Sequence, residues 1–147
     1  SAARADRPSG RRAGAANGDN IAGMKTTPPS PAPDSLTELR DLTRRFARER
    51  DWEQFHTPKN LAMALSVEVA ELVEHFQWLP TGADAELDDA GRTGIRHELA
   101  DVLLYLVQLA DKTGVDLHAA ALEKMALNAA KYPADQVRGD ARKSTEY

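Results

Sequence analysis

The sequence has no cysteine among its 147 residues. That excludes disulfide frameworks, zinc–thiolate centres and thiol nucleophiles. Aromatic side chains are scarce at 5%, so each ring is worth placing individually. Positive charge is not in excess either: the formal net charge is −4 and the pI is near 5.6. General nucleic-acid binding therefore has no electrostatic support. No long hydrophobic run is present. The longest apolar stretch, Leu99 to Ala110, is interrupted by Asp101 and Gln108 and is too short and too polar to span a bilayer. No secretory-type apolar segment stands near the N-terminus. The expectation is a cytoplasmic protein with neither nucleic-acid nor membrane partners.

What the chain does have is a pair of short acidic patterns inside apolar, helix-period stretches, Glu68-x-x-Glu71 and Glu98-x-x-Asp101. Residues three apart lie on one helix face, so each helix aims two carboxylates in one direction. If the two helices pack side by side, four acids converge on one small volume. Such a group repels itself unless cations occupy it, and an oxygen-only donor set suits magnesium or manganese. The plain alternative is a solvated helix face, because Glu and Asp are common on helices. Against it, Asp101 stands inside a nearly unbroken apolar run and Glu68 interrupts Leu65-Ser-Val-Glu-Val69. An unpaired carboxylate is costly to bury in such places. A metal site and a buried salt-bridge or interface network both account for the placement.

The length favours one domain with a real core. Ser1 to Pro33, rich in Ala, Gly, Pro and Arg, has too few large apolar side chains to offset the entropy of ordering. It reads as a disordered leader, with Met24 a candidate start. The domain follows over residues 34–133. Asp34 or Ser35 caps a first helix, with Glu38 placed for a capping box. Leu36, Leu39, Leu42 and Phe46 mark its apolar face to about Arg50. Asp51-Trp-Glu-Gln-Phe-His56 breaks the period and reads as an aromatic loop.

Thr57-Pro58 restarts a helix that runs to about Trp78. Pro80, Gly82 and the acidic stretch Asp84 to Asp89 connect it to a third helix, from near Thr93 to Gly114. The centre of this third helix is apolar nearly all round, which implies cover on more than one side. In a domain this small the second cover is another subunit. Asp116 caps a fourth helix ending at Tyr132-Pro133, and residues 134–147 read as a flexible tail. No strand pattern, internal repeat or glycine-rich phosphate loop is present. The fold class is all-α.

Around the acids, Glu74 and His75 extend the second helix as surface or supporting groups, and His97 and His118 read as solvent-exposed. Trp52, Phe55, Trp78 and Tyr105 can line a flat pocket for a base, with His56 among them. Core packing is the usual fate of aromatics, but two tryptophans flank the acidic helix at either end. Lys112, Lys124, Lys131, Arg138 and Arg142 are candidate phosphate contacts against a background of solubilising charge. Lys131, with Asn128 one turn earlier, has the best pattern.

Taken together, these phrases resemble the all-α nucleoside triphosphate pyrophosphohydrolases related to MazG. Glu68-x-x-Glu71 followed by Glu98-x-x-Asp101 matches that family's four-acid signature. Asp51-Trp-Glu-Gln-Phe-His56, Glu68-Val-Ala-Glu-Leu-Val-Glu-His-Phe-Gln-Trp78, Glu98-Leu-Ala-Asp-Val-Leu-Leu-Tyr-Leu106 and Lys124-Met-x-x-Asn128-x-x-Lys131-Tyr-Pro133 are similar to its small dCTP pyrophosphatase branch. The resemblance covers roughly Ser35 to Pro133. It implies a four-helix-type fold that assembles as a dimer or a dimer of dimers. It implies magnesium, with manganese as an alternative, held by Glu68, Glu71, Glu98 and Asp101. The implied reaction is hydrolysis of a nucleoside triphosphate between its α- and β-phosphates, dCTP or a modified dCTP being the expected substrate. Its products are the monophosphate and pyrophosphate, as in sanitation of a nucleotide pool.

In that reading magnesium neutralises the triphosphate and lowers the pKa of a water, and Glu71 or Glu98 accepts the proton. Trp52, His56, Trp78 and Tyr105 fall where base and sugar are held; Asn128, Lys131 and Lys112 fall where phosphates are contacted. One position departs from the pattern. Some relatives carry a base-binding histidine in the first helix where this chain has Thr43, and losing a donor to the base edge relaxes cytosine preference. The competing expectation is a catalytically silent helical module that uses the same acids for oligomer registry or partner binding. Such a module needs no pairing of a metal site with a base site.

Overall fold

The computed structural model describes residues 34–143 and 145. The expected leader, residues 1–33, lies outside the described residues. Among those residues every regular element is helical. Helix α1 (Ser35–Glu49) begins where Asp34 Oδ1 accepts the Thr37 N–H at 2.8 Å. With Asp34 as the cap, Thr37 and not Glu38 occupies the third helical position, so the capping box expected from Ser35 is out of register.

The helix ends on Asp51, whose φ is +54°, a left-handed conformation that Asp tolerates better than most residues. The Asp51 N–H returns to the Arg48 carbonyl at 3.1 Å and the Trp52 N–H to the Ala47 carbonyl at 2.9 Å. These are the paired bonds of a Schellman ending, which also folds its second outer residue onto the last helical turn. Here that residue is Trp52, edge-on to Phe46 with ring centroids 5.8 Å apart. The segment expected as a loop is therefore a built turn. It continues through a single 3-10 turn, Glu53–Phe55, tied back by Gln54 Nε2 donating to the Asp51 carbonyl at 2.9 Å.

Helix α2 (Pro58–Glu74) starts as expected, with the Thr57 hydroxyl accepting the Asn60 N–H at 3.2 Å. It stops at Glu74, a turn short of Trp78. Pro80 disfavours helical backbone at Leu79, and the chain turns back so that the Phe76 ring covers Gly82. That glycine has φ +75°, and a Cβ on it would stand 2.7 Å from the ring. Glu86 closes the connection by accepting the N–H groups of Thr81 at 3.2 Å and Gly82 at 2.6 Å. Burial raises the Glu86 carboxyl, but those hydrogen bonds outweigh it and hold the group below its ordinary value.

Helix α3 (Asp89–Thr113) begins at Asp89, ahead of the expected Thr93, because Asp88 caps it by accepting the Gly91 N–H at 2.7 Å. Arg92 pairs with Asp84 and locks the same corner. The helix stops at Gly114, with φ +69°. Asp116 then caps α4 (Leu117–Lys131) through the Ala119 N–H at 2.9 Å. One further turn, α5 (Ala134–Val137), forms inside the segment expected to be a flexible tail. The Pro133 carbonyl accepts its first hydrogen bonds, from Gln136 and Val137.

In packing, α3 is the axis, with α2 against it on one side and α1 on another. Arg44 of α1 grips Asp111 of α3 with two bonds, Nε to Oδ2 at 2.7 Å and Nη2 to Oδ1 at 2.5 Å. The buried core is small: Ala47 from α1, Leu61 from α2, Val107 and Ala110 from α3. Helix α4 packs along none of the three. Met63, Val67 and Val73 on α2, Leu99 on α3, and Leu122, Met125 and Leu127 on α4 all remain more than half exposed. That is more apolar surface than scattered single side chains present. No helix among the described residues is long and apolar enough to cross a membrane.

Candidate metal centre

The packing of α2 on α3 brings the two acidic patterns face to face. One carboxylate oxygen each from Glu68, Glu98 and Asp101 lie within 4.8 Å of one another. Glu71, one turn along α2, is not part of that trio but acts on Glu68 by its charge. The Glu68 carboxyl is pushed above its ordinary value, first by burial and then by the neighbouring charges of Glu71, Asp101 and Glu98. No Lys or Arg among the described residues pairs with any of the four acids. Oxygen-only donors, mutual repulsion and the lack of a counter-charge among the described residues fit a hard divalent cation and not a nitrogen- or sulfur-seeking one.

One nitrogen does approach. His75 Nε2 stands 3.9 Å from Glu98 Oε1, and its imidazole lies on the α3 backbone at Gly94, where a Cβ would be 2.3 Å from the ring. The sequence pattern alone suggests a surface or supporting group at His75. The signal that points to it is Gly94 itself, since a glycine inside a helix costs stability against alanine and calls for a packing reason.

The remaining candidates divide into two sets. His56 sits edge-on to Trp52 with centroids 6.5 Å apart. With Lys112, Thr43, Glu53 and Gln108 it lines a small cleft between α1 and α3. The Thr43 hydroxyl turns inward, donating to the Arg40 carbonyl at 2.9 Å. Gln108, noted in the sequence only as an interruption of an apolar run, is a polar wall of this cleft. Tyr105 is half-buried on α3, between the acids and Gln108 in chain order.

The second set stands clear. Trp78 is 86% exposed in the turns after α2. Asn128 and Lys131 are exposed on the projecting α4, where the Lys131 ammonium lies 5.4 Å over the Tyr132 ring. A larger recess of about 400 Å³ between the start of α1 and the α3–α4 junction is lined by Asp34, Arg40, Arg44, Asp116 and His118, and by none of the four acids. Most of its charges are already used, because Asp34 and Asp116 cap helices, Arg40 pairs with Asp41 and Arg44 holds Asp111. The acidic trio and this recess are therefore separate features.

Comparison with known proteins gives the family. A model of the MazG-like family matches residues 63–146, a span that holds all four acids. The chain is 48% identical over 119 residues to dCTP pyrophosphatase 1 of Homo sapiens, covering 80% of this chain and 69% of the human protein. It is 46% identical over 122 residues to dCTP pyrophosphatase 1 of Mus musculus, covering 80% of this chain and 69% of the mouse protein. In three dimensions it is similar to the crystal structure of a pyrophosphatase from Archaeoglobus fulgidus DSM 4304. The TM-score is 0.64 at 40% identity, over 69% of this chain and 95% of the archaeal one. The family match takes in more than half of the chain, and all four acids lie inside it: this protein belongs to the MazG-like family.

Proposed function

We propose that the protein is a magnesium-dependent nucleoside triphosphate pyrophosphohydrolase that converts dCTP, or a modified dCTP, to the monophosphate and pyrophosphate. The observation that carries this reading is the convergence of Glu68, Glu98 and Asp101 in a chain so similar to dCTP pyrophosphatase 1. Those three residues would hold the ion, with Glu71 beside them. Magnesium supplies neutralisation of the triphosphate and a more acidic water. Glu71, outside the trio, is the carboxylate freest to take the proton of the attacking water; Glu98 is the other candidate. Trp52, 45% exposed with His56 at its edge, offers a stacking face for the base. Tyr105 flanks the sugar, and Lys112 at the same cleft meets phosphate.

The exposed apolar residues of α2, α3 and α4 support assembly as a dimer or a dimer of dimers, in which four-helix packing is completed by a second copy. Trp78, Asn128 and Lys131, exposed in one chain, belong to a site finished by that assembly. The test is pyrophosphate release with magnesium from dCTP, 5-methyl-dCTP, dUTP, dTTP, dATP and CTP. The expected result is release from the two deoxycytidine compounds that EDTA abolishes. Broad release would keep the reaction and reject cytosine preference, as Thr43 anticipates. Silence with all six, and a thermal midpoint indifferent to EDTA, would refute the enzyme reading.

A further inference from the structure

We infer that His75 is a positioning residue for Glu98, seated by Gly94, so that one imidazole fixes the direction of one carboxylate in the acidic trio. The inference rests on the metal-site reading above. His75 closes α2: its φ and ψ are −68° and −20°, and its N–H bonds back to the Leu72 carbonyl at 3.3 Å. The backbone therefore leaves the ring little freedom beyond its own rotamers.

The ring occupies the space a side chain at position 94 would take. A Cβ on Gly94 would stand 2.3 Å from Cε1, 2.8 Å from Nε2 and 3.0 Å from Nδ1. Gly94 is not among the residues with positive φ, so the backbone alone would accept alanine, the better helix former. What the glycine provides is room. Glu98 follows it by one helical turn on the same face, so a ring lying on Gly94 presents its Nε2 edge to the Glu98 carboxylate. Both side chains are largely shielded, at 29% and 20% exposure.

The separation of 3.9 Å is longer than a hydrogen bond. Bonds of this kind are often long in ligand-free sites and tighten when the site is filled. Nothing here calls on imidazole charge, since a neutral ring with its proton on Nε2 is a sufficient donor. Glu98 is the one member of the four acids with a nitrogen partner among the described residues. Groups that orient metal-binding side chains from behind act in this way.

Gly94→Ala separates positioning from mere presence. It keeps every functional group and evicts the ring from its slot. On the full chain, Mn²⁺ affinity is measured by titration calorimetry beside kcat and KM for dCTP. Gly94→Ala and His75→Ala should each weaken Mn²⁺ binding about tenfold and lower kcat, with KM little changed. The double variant should be no worse than either single one, and His75→Gln, which retains a donor, should recover part of the loss. Wild-type Mn²⁺ affinity in Gly94→Ala, or losses that multiply in the double variant, would overturn the inference while leaving the metal site intact. Should Gly94→Ala fail to fold, His75→Ala against His75→Gln decides, and equal behaviour of those two overturns it. A wild-type protein that binds no Mn²⁺ would overturn the metal-site reading and this inference with it.

Discussion

Helix α3 carries carboxylates in two opposite settings. Near its C-terminal end, Asp111 receives two hydrogen bonds from Arg44, and its carboxyl is held below the ordinary value chiefly by them. Near its middle, Glu98 and Asp101 face Glu68, which is pushed the other way by burial and by the charges around it. The first group is satisfied inside the chain and joins α1 to α3. The second is left unsatisfied by every cation the described residues hold. A protein that can place an arginine opposite one carboxylate could have done so for the others. On the proposed metal-site reading, the difference separates the acids that hold the fold from those that would hold a cation.

The strongest way to break that comparison is to neutralise the unpaired acids. Glu71→Gln and Glu98→Gln should each cut pyrophosphate release by at least about a hundredfold, the scale of losing a general base. Secondary structure and oligomeric state should be unchanged, and the metal-free thermal midpoint no lower, because each change relieves repulsion. If either variant instead unfolds or dissociates while the folded fraction stays active, the cluster is structural, like Asp111.

The opposite outcome is expected at the other end of the helix. Arg44→Ala leaves a largely shielded Asp111 without its partner, which is worse than removing both. The thermal midpoint should fall by a few degrees in Arg44→Ala and by less in the double variant with Asp111→Ala, a coupling that a mutant cycle resolves. Simple additivity of the two single losses would show that the pair does not hold α1 to α3.

How much of this was legible in the sequence follows from the range of each interaction. The four acids could be read because spacing three is a local rule, and so could the caps at Asp34, Thr57 and Asp116. The start of α3 is hidden in the sequence because its cap, Asp88, stands among other acids that look like linker. The Trp52–Phe46–His56 arrangement was out of reach, since it depends on Asp51 taking a left-handed conformation usually given to glycine. His75 on Gly94 is a contact between two helices, invisible until their packing is known. Trp78, Asn128 and Lys131 are a harder case still, because one chain leaves them exposed.

The gentlest test uses protons in place of mutations. The Glu68 carboxyl titrates in the folded chain above its ordinary value of 4.5. Between those two values the native state binds more protons than the unfolded one, so this group's contribution to stability rises as pH falls from neutral towards 4.5. Asp111 has the opposite sign. Its folded value lies below the ordinary 3.8, so its stabilisation is complete above 3.8 and is lost as pH drops through the lower value. Glu86, also held low, joins the loss below 4.5, and Asp34, Asp84 and Asp140 join it below 3.8. Metal-free protein heated at a series of pH values should therefore hold or gain thermal midpoint on mild acidification and lose it only in strong acid. Glu68→Gln should remove the early gain and Asp111→Asn should soften the final loss. Saturating magnesium should reverse the early phase, because protons then compete with a bound cation for the same oxygens. An early phase that is identical in wild type and Glu68→Gln, with or without magnesium, would erase the distinction between the two ends of α3.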